Sequence, residues 1–115
     1  MNYVEPNNTT FVQHPECDKG WHTLIENCHA ELLALDPKYK ILQIKEKFGG
    51  LRYYFQLSTD SLDTCQKADD IVAKYESKSW TTCEICGDEG ALRNREWRRV
   101  LCDTHSDGAP PIVTE

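Results

Sequence analysis

Four residues near the C-terminus have the types and spacing of a metal site. Cys83-x2-Cys86 and Cys102-x2-His105 form two pairs of soft ligands with fifteen residues between them. A Cys-x-x-Cys turn sets two thiolates on one side of an ion, and a second pair at the same spacing closes a tetrahedron, so the pattern predicts zinc. A redox-active Cys-x-x-Cys would leave Cys102 and His105 unexplained, and an iron–sulfur cluster usually takes four thiolates. Three cysteines and one histidine fill the coordination shell and leave no position for water or substrate. The expected ion is therefore structural, one per chain, and not catalytic. Its contribution to folding is large in small fingers, where metal affinities of about 10–16 kcal/mol appear as folding energy.

The remaining thiols and imidazoles suggest less. Cys17, Cys28 and Cys65, with His14, His22 and His29, stand outside the pattern. His14-x2-Cys17 has the spacing of half a second metal site. Cys28 and Cys65 fall on apolar faces, where free cysteine serves as a small hydrophobe. A nuclease built on such a finger would need a histidine between the ligand pairs. Residues 87–101 hold Asn94 but no His. With no phosphate loop, nucleophile elbow or His-Glu-x-x-His, no catalytic residue and no small-molecule substrate are expected.

The charge is unevenly spread. The chain has 115 residues and net charge −6. Residues 1–36 carry Lys19 against six acids, a net −5. Lys38, Lys40, Lys45, Lys47 and Arg52 stand against Glu46 in 37–52, and Arg93, Arg95, Arg98 and Arg99 stand against Glu96 in 92–101. These two basic strips read either as solvated strand faces or as one composite anionic-ligand surface formed by Lys45, Lys47, Arg52, Arg93, Arg95, Arg98 and Arg99. No run has the length of a membrane span, and Met1–Pro6 has neither the basic nor the apolar region of a signal peptide. The expected compartment is the cytoplasm, where thiols stay reduced.

The elements that must position these residues follow from periodicity. Residues 1–19, with Pro6 and Pro15, read as an irregular arm. Trp21, Leu24, Ile25, Cys28, Leu32, Leu33 and Leu35 recur at three and four, the face of an amphipathic helix that Asp36-Pro37 ends. Two alternating runs, Ile41–Phe48 and Leu51–Leu57, flank Gly49-Gly50 and predict a hairpin with those glycines as its turn. That register sets Phe48 opposite Leu51, Ile44 opposite Phe55 and Leu42 opposite Leu57 on an apolar face. Lys47 then opposes Arg52 on the outer face. Glu46 shares the apolar face, either satisfied at the sheet edge or paired with a base. Asp60-Ser61 caps a second helix with apolar face Leu62, Cys65, Ala68, Ile71, Val72 and Tyr75. Trp80 leads into the metal module. There, Leu92–Leu101 predicts a short hairpin and Cys102–His105 a final helical turn, the order of a treble clef; a zinc ribbon is the alternative. The expected fold is α+β: a helix–hairpin–helix layer over 20–80, a finger over 81–107 and a loose tail over 108–115.

Glu16-Cys17-x2-Gly20-Trp21, the run Gln43–Tyr54 and Thr82-Cys83-Glu84-x-Cys86-Gly87 together resemble a family of small uncharacterised proteins. Its members are encoded by bacteriophages, prophages and their bacterial hosts. The likeness covers residues 16–105, its Cys-x-x-Cys and Cys-x-x-His ligands included, and the hairpin run is its most specific part. It implies an intracellular, phage-linked accessory protein, and it supplies no catalytic residues. The leading expectation is a module that binds a host protein through the hairpin and finger surfaces. The alternative is a nucleic-acid binder using the basic strips.

Overall fold

A computed structural model describes residues 17–112. The expected arm up to residue 16, His14 with it, and residues 113–115 lie outside the described residues. A 3-10 turn at Lys19–Trp21 runs into helix α1 (His22–Leu35). Strands β1 (Lys40–Lys47) and β2 (Gly50–Gln56) form an antiparallel hairpin, followed by helix α2 (Leu62–Ser79). Two short strands, β3 (Ala91–Leu92) and β4 (Val100–Leu101), make a second antiparallel pair. The architecture is α+β, as the periodicities predict.

Each helix has a local cause. Trp21, Ile25, Cys28 and Leu32 lie a helical turn apart and are fully buried. At the end of α1, Asp36 N–H still donates to the Leu32 carbonyl, but Pro37 prevents further winding. Ser61 caps α2 by accepting from Thr64 N–H at 3.4 Å. Ala68, Val72 and Tyr75 face inward, whereas Leu62, in the first turn, is 86% exposed and leaves the predicted apolar face. The core fills the space between the helices and the hairpin: α1 and the 3-10 turn before it contribute the four residues above, the sheet contributes Ile41, Ile44, Leu51 and Tyr53, and Tyr39 joins them from just before β1. Val100 joins the same cluster, so packing runs without a gap across the expected boundary at 80/81.

The hairpin register is shifted by two residues from the prediction. Lys47 pairs with Gly50, Glu46 with Leu51, Lys45 with Arg52 and Ile44 with Tyr53. The two-residue turn is thus Phe48-Gly49, both at positive φ (55° and 97°), the conformation a tight hairpin requires. Two contacts account for the shift. Glu46 Oε2 accepts the Gly49 N–H at 2.7 Å, which satisfies the carboxylate at the sheet edge. Gly50 belongs to the strand because the Trp80 ring lies directly over its bare Cα. A shift of two preserves which face each residue takes from Glu46 to Tyr53. An irregularity between Ile41 and Gln43 then buries Ile41 and leaves Leu42 54% exposed, reversing the expected placement of Leu42.

One edge of β2 is closed by α2. Ser79 Oγ accepts from Leu51 N–H at 3.0 Å and Glu76 Oε2 from Tyr53 N–H at 2.9 Å. These side chains replace the missing neighbouring strand and tie the end of α2 to the hairpin. The chain leaves that junction directly into the first ligand turn.

Candidate metal centre and adjoining groove

Thr82 bridges to Glu89 and brackets a tight loop in which Cys83 N–H donates to Asp88 O at 2.7 Å and Gly87 N–H to Cys83 O at 2.8 Å. Gly87 sits at φ 88°, a turn conformation that suits glycine. This knuckle points the Cys83 and Cys86 sulfurs the same way. The pair β3–β4 then returns the chain, and Cys102–His105 follows β4 as a single turn closed by His105 N–H to Cys102 O at 3.1 Å. Knuckle, hairpin and ligand turn occur in the predicted order. The last ligand pair rides on that one turn, and no helix follows it among the described residues.

The four donor atoms lie within 4.8 Å of one another. Regular tetrahedral zinc, with Zn–S of about 2.3 Å and Zn–N of about 2.0–2.1 Å, has S–S edges near 3.8 Å and S–N edges near 3.6 Å. Cys86 and Cys102 sulfurs are 3.7 Å apart. His105 presents Nδ1 to the sulfurs, 3.7 Å from Cys83 and 3.2 Å from Cys102. These separations fit one ion at the centre. The thiol chemistry agrees. Burial pushes Cys83 up, but N–H groups of Cys102, Cys86 and Ile85 and the His105 ring outweigh it and bring the thiol down to about 6. The Asp88 N–H favours a thiolate at Cys86, yet burial and the Cys102 and Cys83 sulfurs push it up to about 11. A second thiolate beside the first is disfavoured, and a divalent cation among the sulfurs relieves that repulsion.

The metal knuckle is docked on the start of α1. Gly20 N–H donates to Glu84 O at 2.7 Å, Trp21 Nε1 to Thr82 O at 2.9 Å and Asp18 N–H to Glu84 Oε2 at 3.1 Å. Arg99 reaches the same place, pairing with Asp18 and, through Nε at 3.3 Å, with Glu84. Burial raises the Glu84 carboxyl above its usual range against the pull of the Asp18 N–H and Arg99.

The seven basic residues of the expected surface separate into two groups. Arg93 is 6% exposed and braces the fold: Nε donates to Leu101 O at 2.9 Å, one terminal nitrogen to Ala109 O and the other to Asp103. With Arg99 held by Asp18 and Glu84, these two do not belong to an open surface, and the predicted strip is corrected to that extent. Lys45, Lys47, Arg52, Arg95 and Arg98 remain, none with a carboxylate partner among the described residues. Arg52, opposite Lys45, is half-buried, and its Nε has no acceptor among the described residues.

Two aromatics stand beside these cations: Phe48, expected on the apolar face opposite Leu51 but moved by the register shift into the exposed turn, and Trp97, which the sequence reading did not single out. Phe48 is 76% exposed at the first turn and Trp97 is 68% exposed on the loop between β3 and β4. Gly49 lies against Leu92, the Arg98 carbonyl and Trp80, which brings the two loop tips together. Between them runs a groove of about 670 Å³ lined by Glu46, Lys47, Phe48, Glu96, Trp97 and Arg98. For Trp97 a signal was present in the chain: an aromatic on a polar loop, with no apolar period to bury it.

Other candidates stand apart. Cys17 is half-buried, and burial, with Glu84, Asp18 and Glu46, pushes its thiol up to about 12. Burial does the same to Cys28, joined by Glu31 and Glu76. Neither enters a metal cluster among the described residues. His29 bonds Tyr39, which bonds Tyr53 at 2.7 Å, a polar chain within the core. No described helix is long and apolar enough to cross a membrane. No protein-family model matches the chain, and neither does any curated protein or solved structure.

Proposed function

We propose that the chain is a zinc-stabilised binding module, with one structural zinc held by Cys83, Cys86, Cys102 and His105 and a protein partner taken at the groove between Phe48 and Trp97. The observation that carries this reading is the coupling of the two features. The strands that deliver the second ligand pair also frame the loop that presents Trp97, so a metal closing the tetrahedron fixes that loop against the hairpin turn. Three thiolates and one imidazole complete the shell, so the ion organises structure and activates no water. An exposed tryptophan with arginine beside it matches the composition of interface hot spots. The resemblance to phage-encoded proteins favours a host protein and a reducing, intracellular setting. A nucleic-acid partner is the second reading. It keeps five of its seven cations after the loss of Arg93 and Arg99.

The test pairs metal analysis with capture. Purified chain should carry one zinc, and both Cys83→Ser and Cys102→Ser should lose it; zinc retained in both variants defeats the ligand assignment. Bait bearing a photo-crosslinker at position 96 should capture the same host protein reproducibly, and Trp97→Ala should lose it while keeping its zinc. Capture unaffected by Trp97→Ala would place the binding surface elsewhere.

A further inference from the structure

We infer that in the free protein the groove is covered by a second copy of this chain, with Phe48 of each copy against Trp97 of the other. The inference rests on the binding-module reading, which makes the groove the contact surface, and adds what occupies that surface before a host partner arrives. Each wall of the groove carries one acid, one base and one aromatic ring. Glu46, Lys47 and Phe48 stand on the hairpin turn, and Glu96, Trp97 and Arg98 on the loop between β3 and β4. A two-fold axis through the groove sets the first wall of each copy on the second wall of the other. Lys47 then meets Glu96 of the second copy and Arg98 meets its Glu46, and symmetry repeats both contacts. The Gly49 N–H takes Oε2 of Glu46, which leaves Oε1 for the incoming guanidinium.

Charge balance selects this occupant. The lining sets two bases against two acids in a chain of net −6, so two acidic copies can touch here without bringing like charges together. Charges farther apart than about 8 Å are largely screened at physiological ionic strength. A peptide of one sign would meet two like charges in the groove, and Glu46 and Glu96 interrupt the cationic track that a nucleic-acid strand needs.

The hairpin turn supplies an independent reason for an interface. Phe48 stands at φ 55°, in the left-handed region that such turns give to Gly, Asn or Asp. That conformation strains a bulky residue, yet the ring gains no burial from it and stays exposed. Trp97 is exposed likewise. An aromatic ring from a second copy buries both, and the groove of about 670 Å³ has room for it. A contact this small is transient, so a host partner can displace the second copy. Host capture should then fall as the chain's own concentration rises.

Sedimentation velocity of the purified, zinc-loaded full chain from about 10 µM to about 1 mM tests the inference. Wild type should pass reversibly from monomer to dimer. Trp97→Ala, Lys47→Glu and Glu96→Lys should keep their zinc and circular dichroism, because these side chains lie exposed outside the core, and each should weaken the dimer at least tenfold. The decisive sample mixes Lys47→Glu with Glu96→Lys in equal amounts. Each variant repels its own kind, but a mixed pair places opposite charges together at both contacts, so the mixture should dimerise as wild type does. A chain that stays monomeric throughout overturns the inference. So does a dimer indifferent to Trp97→Ala, which lies on another face, and so does a mixture without rescue. Host capture judges the binding module separately: crosslinking that needs Trp97 keeps that reading when self-association fails, and its loss ends that reading even where the dimer forms.

Discussion

Replacing Gly20 with alanine should unfasten the metal knuckle from the helical core. A methyl group on Gly20 would overlap the Cys83 carbonyl oxygen and the backbone of Glu84, far inside any ordinary contact. Both obstacles are backbone atoms within the ligand turn, so neither can rotate away. The two segments must part. Parting them breaks the 2.7 Å bond from Gly20 N–H to Glu84 O and strains the bonds from Asp18 and Trp21 beside it. One such bond is worth about 1 kcal/mol, and forcing atoms into a packed site costs about 1–3 kcal/mol. The sum, roughly 2–4 kcal/mol, is a large fraction of the stability of a domain this size. At about 4 °C per kcal/mol, the zinc-loaded Tm should fall by roughly 8–16 °C. Urea unfolding monitored by tryptophan fluorescence gives the free energy, because Trp21 lies fully buried at the junction. Gly108→Ala is the control: no atom lies within 4 Å of the added carbon, and only its positive φ resists, at about 1 kcal/mol. A Gly20→Ala protein within 1 kcal/mol of wild type, with full zinc, would refute the close approach.

Arg93→Ala removes a buried guanidinium from two carbonyls and a carboxylate, so it should cost about 2–4 kcal/mol in urea unfolding, against less than about 0.5 for exposed Arg98→Ala. Equal effects of the two would show that Arg93 is not the brace described here. Asp36 supplies a pH dependence. Burial pushes its carboxyl up, but the Ser58 hydroxyl and N–H and the Lys38 N–H outweigh this and hold it below the usual range. A folded value below the unfolded one stabilises the protein above about pH 4, and that share is lost as pH falls through the folded value. The stability gap between wild type and Asp36→Asn should therefore be widest above pH 5 and close toward pH 3; a gap constant across that range would exclude the linkage.

How much of this the chain revealed depended on the reach of the interaction. The cluster of Cys83, Cys86, Cys102 and His105 was legible because pairing donors at two-residue spacing is local geometry. Both helices were legible because their buried faces repeat within a few residues, as in Ile25, Cys28 and Leu32. The hairpin was legible as an element, but its register was not: two glycines in tandem signal a turn without saying which of them a distant ring will cover. Trp80, thirty residues on, covers Gly50 and moves the turn back to Phe48-Gly49. Arg93 and Arg99 looked like their neighbours Arg95 and Arg98. What separates them is tertiary: acceptors at Ala109, Asp103 and Glu84, and an aspartate 81 residues away. Leu42 and Leu62 kept the apolar period and still face solvent, one through an irregular strand and the other in a first helical turn.

The loop between β3 and β4 is closed at its base by Arg93 N–H to Arg99 O at 2.9 Å, and Arg95 to Arg98 all lie exposed beyond that clasp. Nothing in the core or among the ligands depends on those four side chains. Closure entropy changes slowly with loop length, so insertions and substitutions there cost little. The tip is a cassette. Its sequence is free to vary while the scaffold that holds it stays intact, and foreign sequences grafted at residues 95–98 should leave the strands and the Cys/His cluster beneath them unchanged.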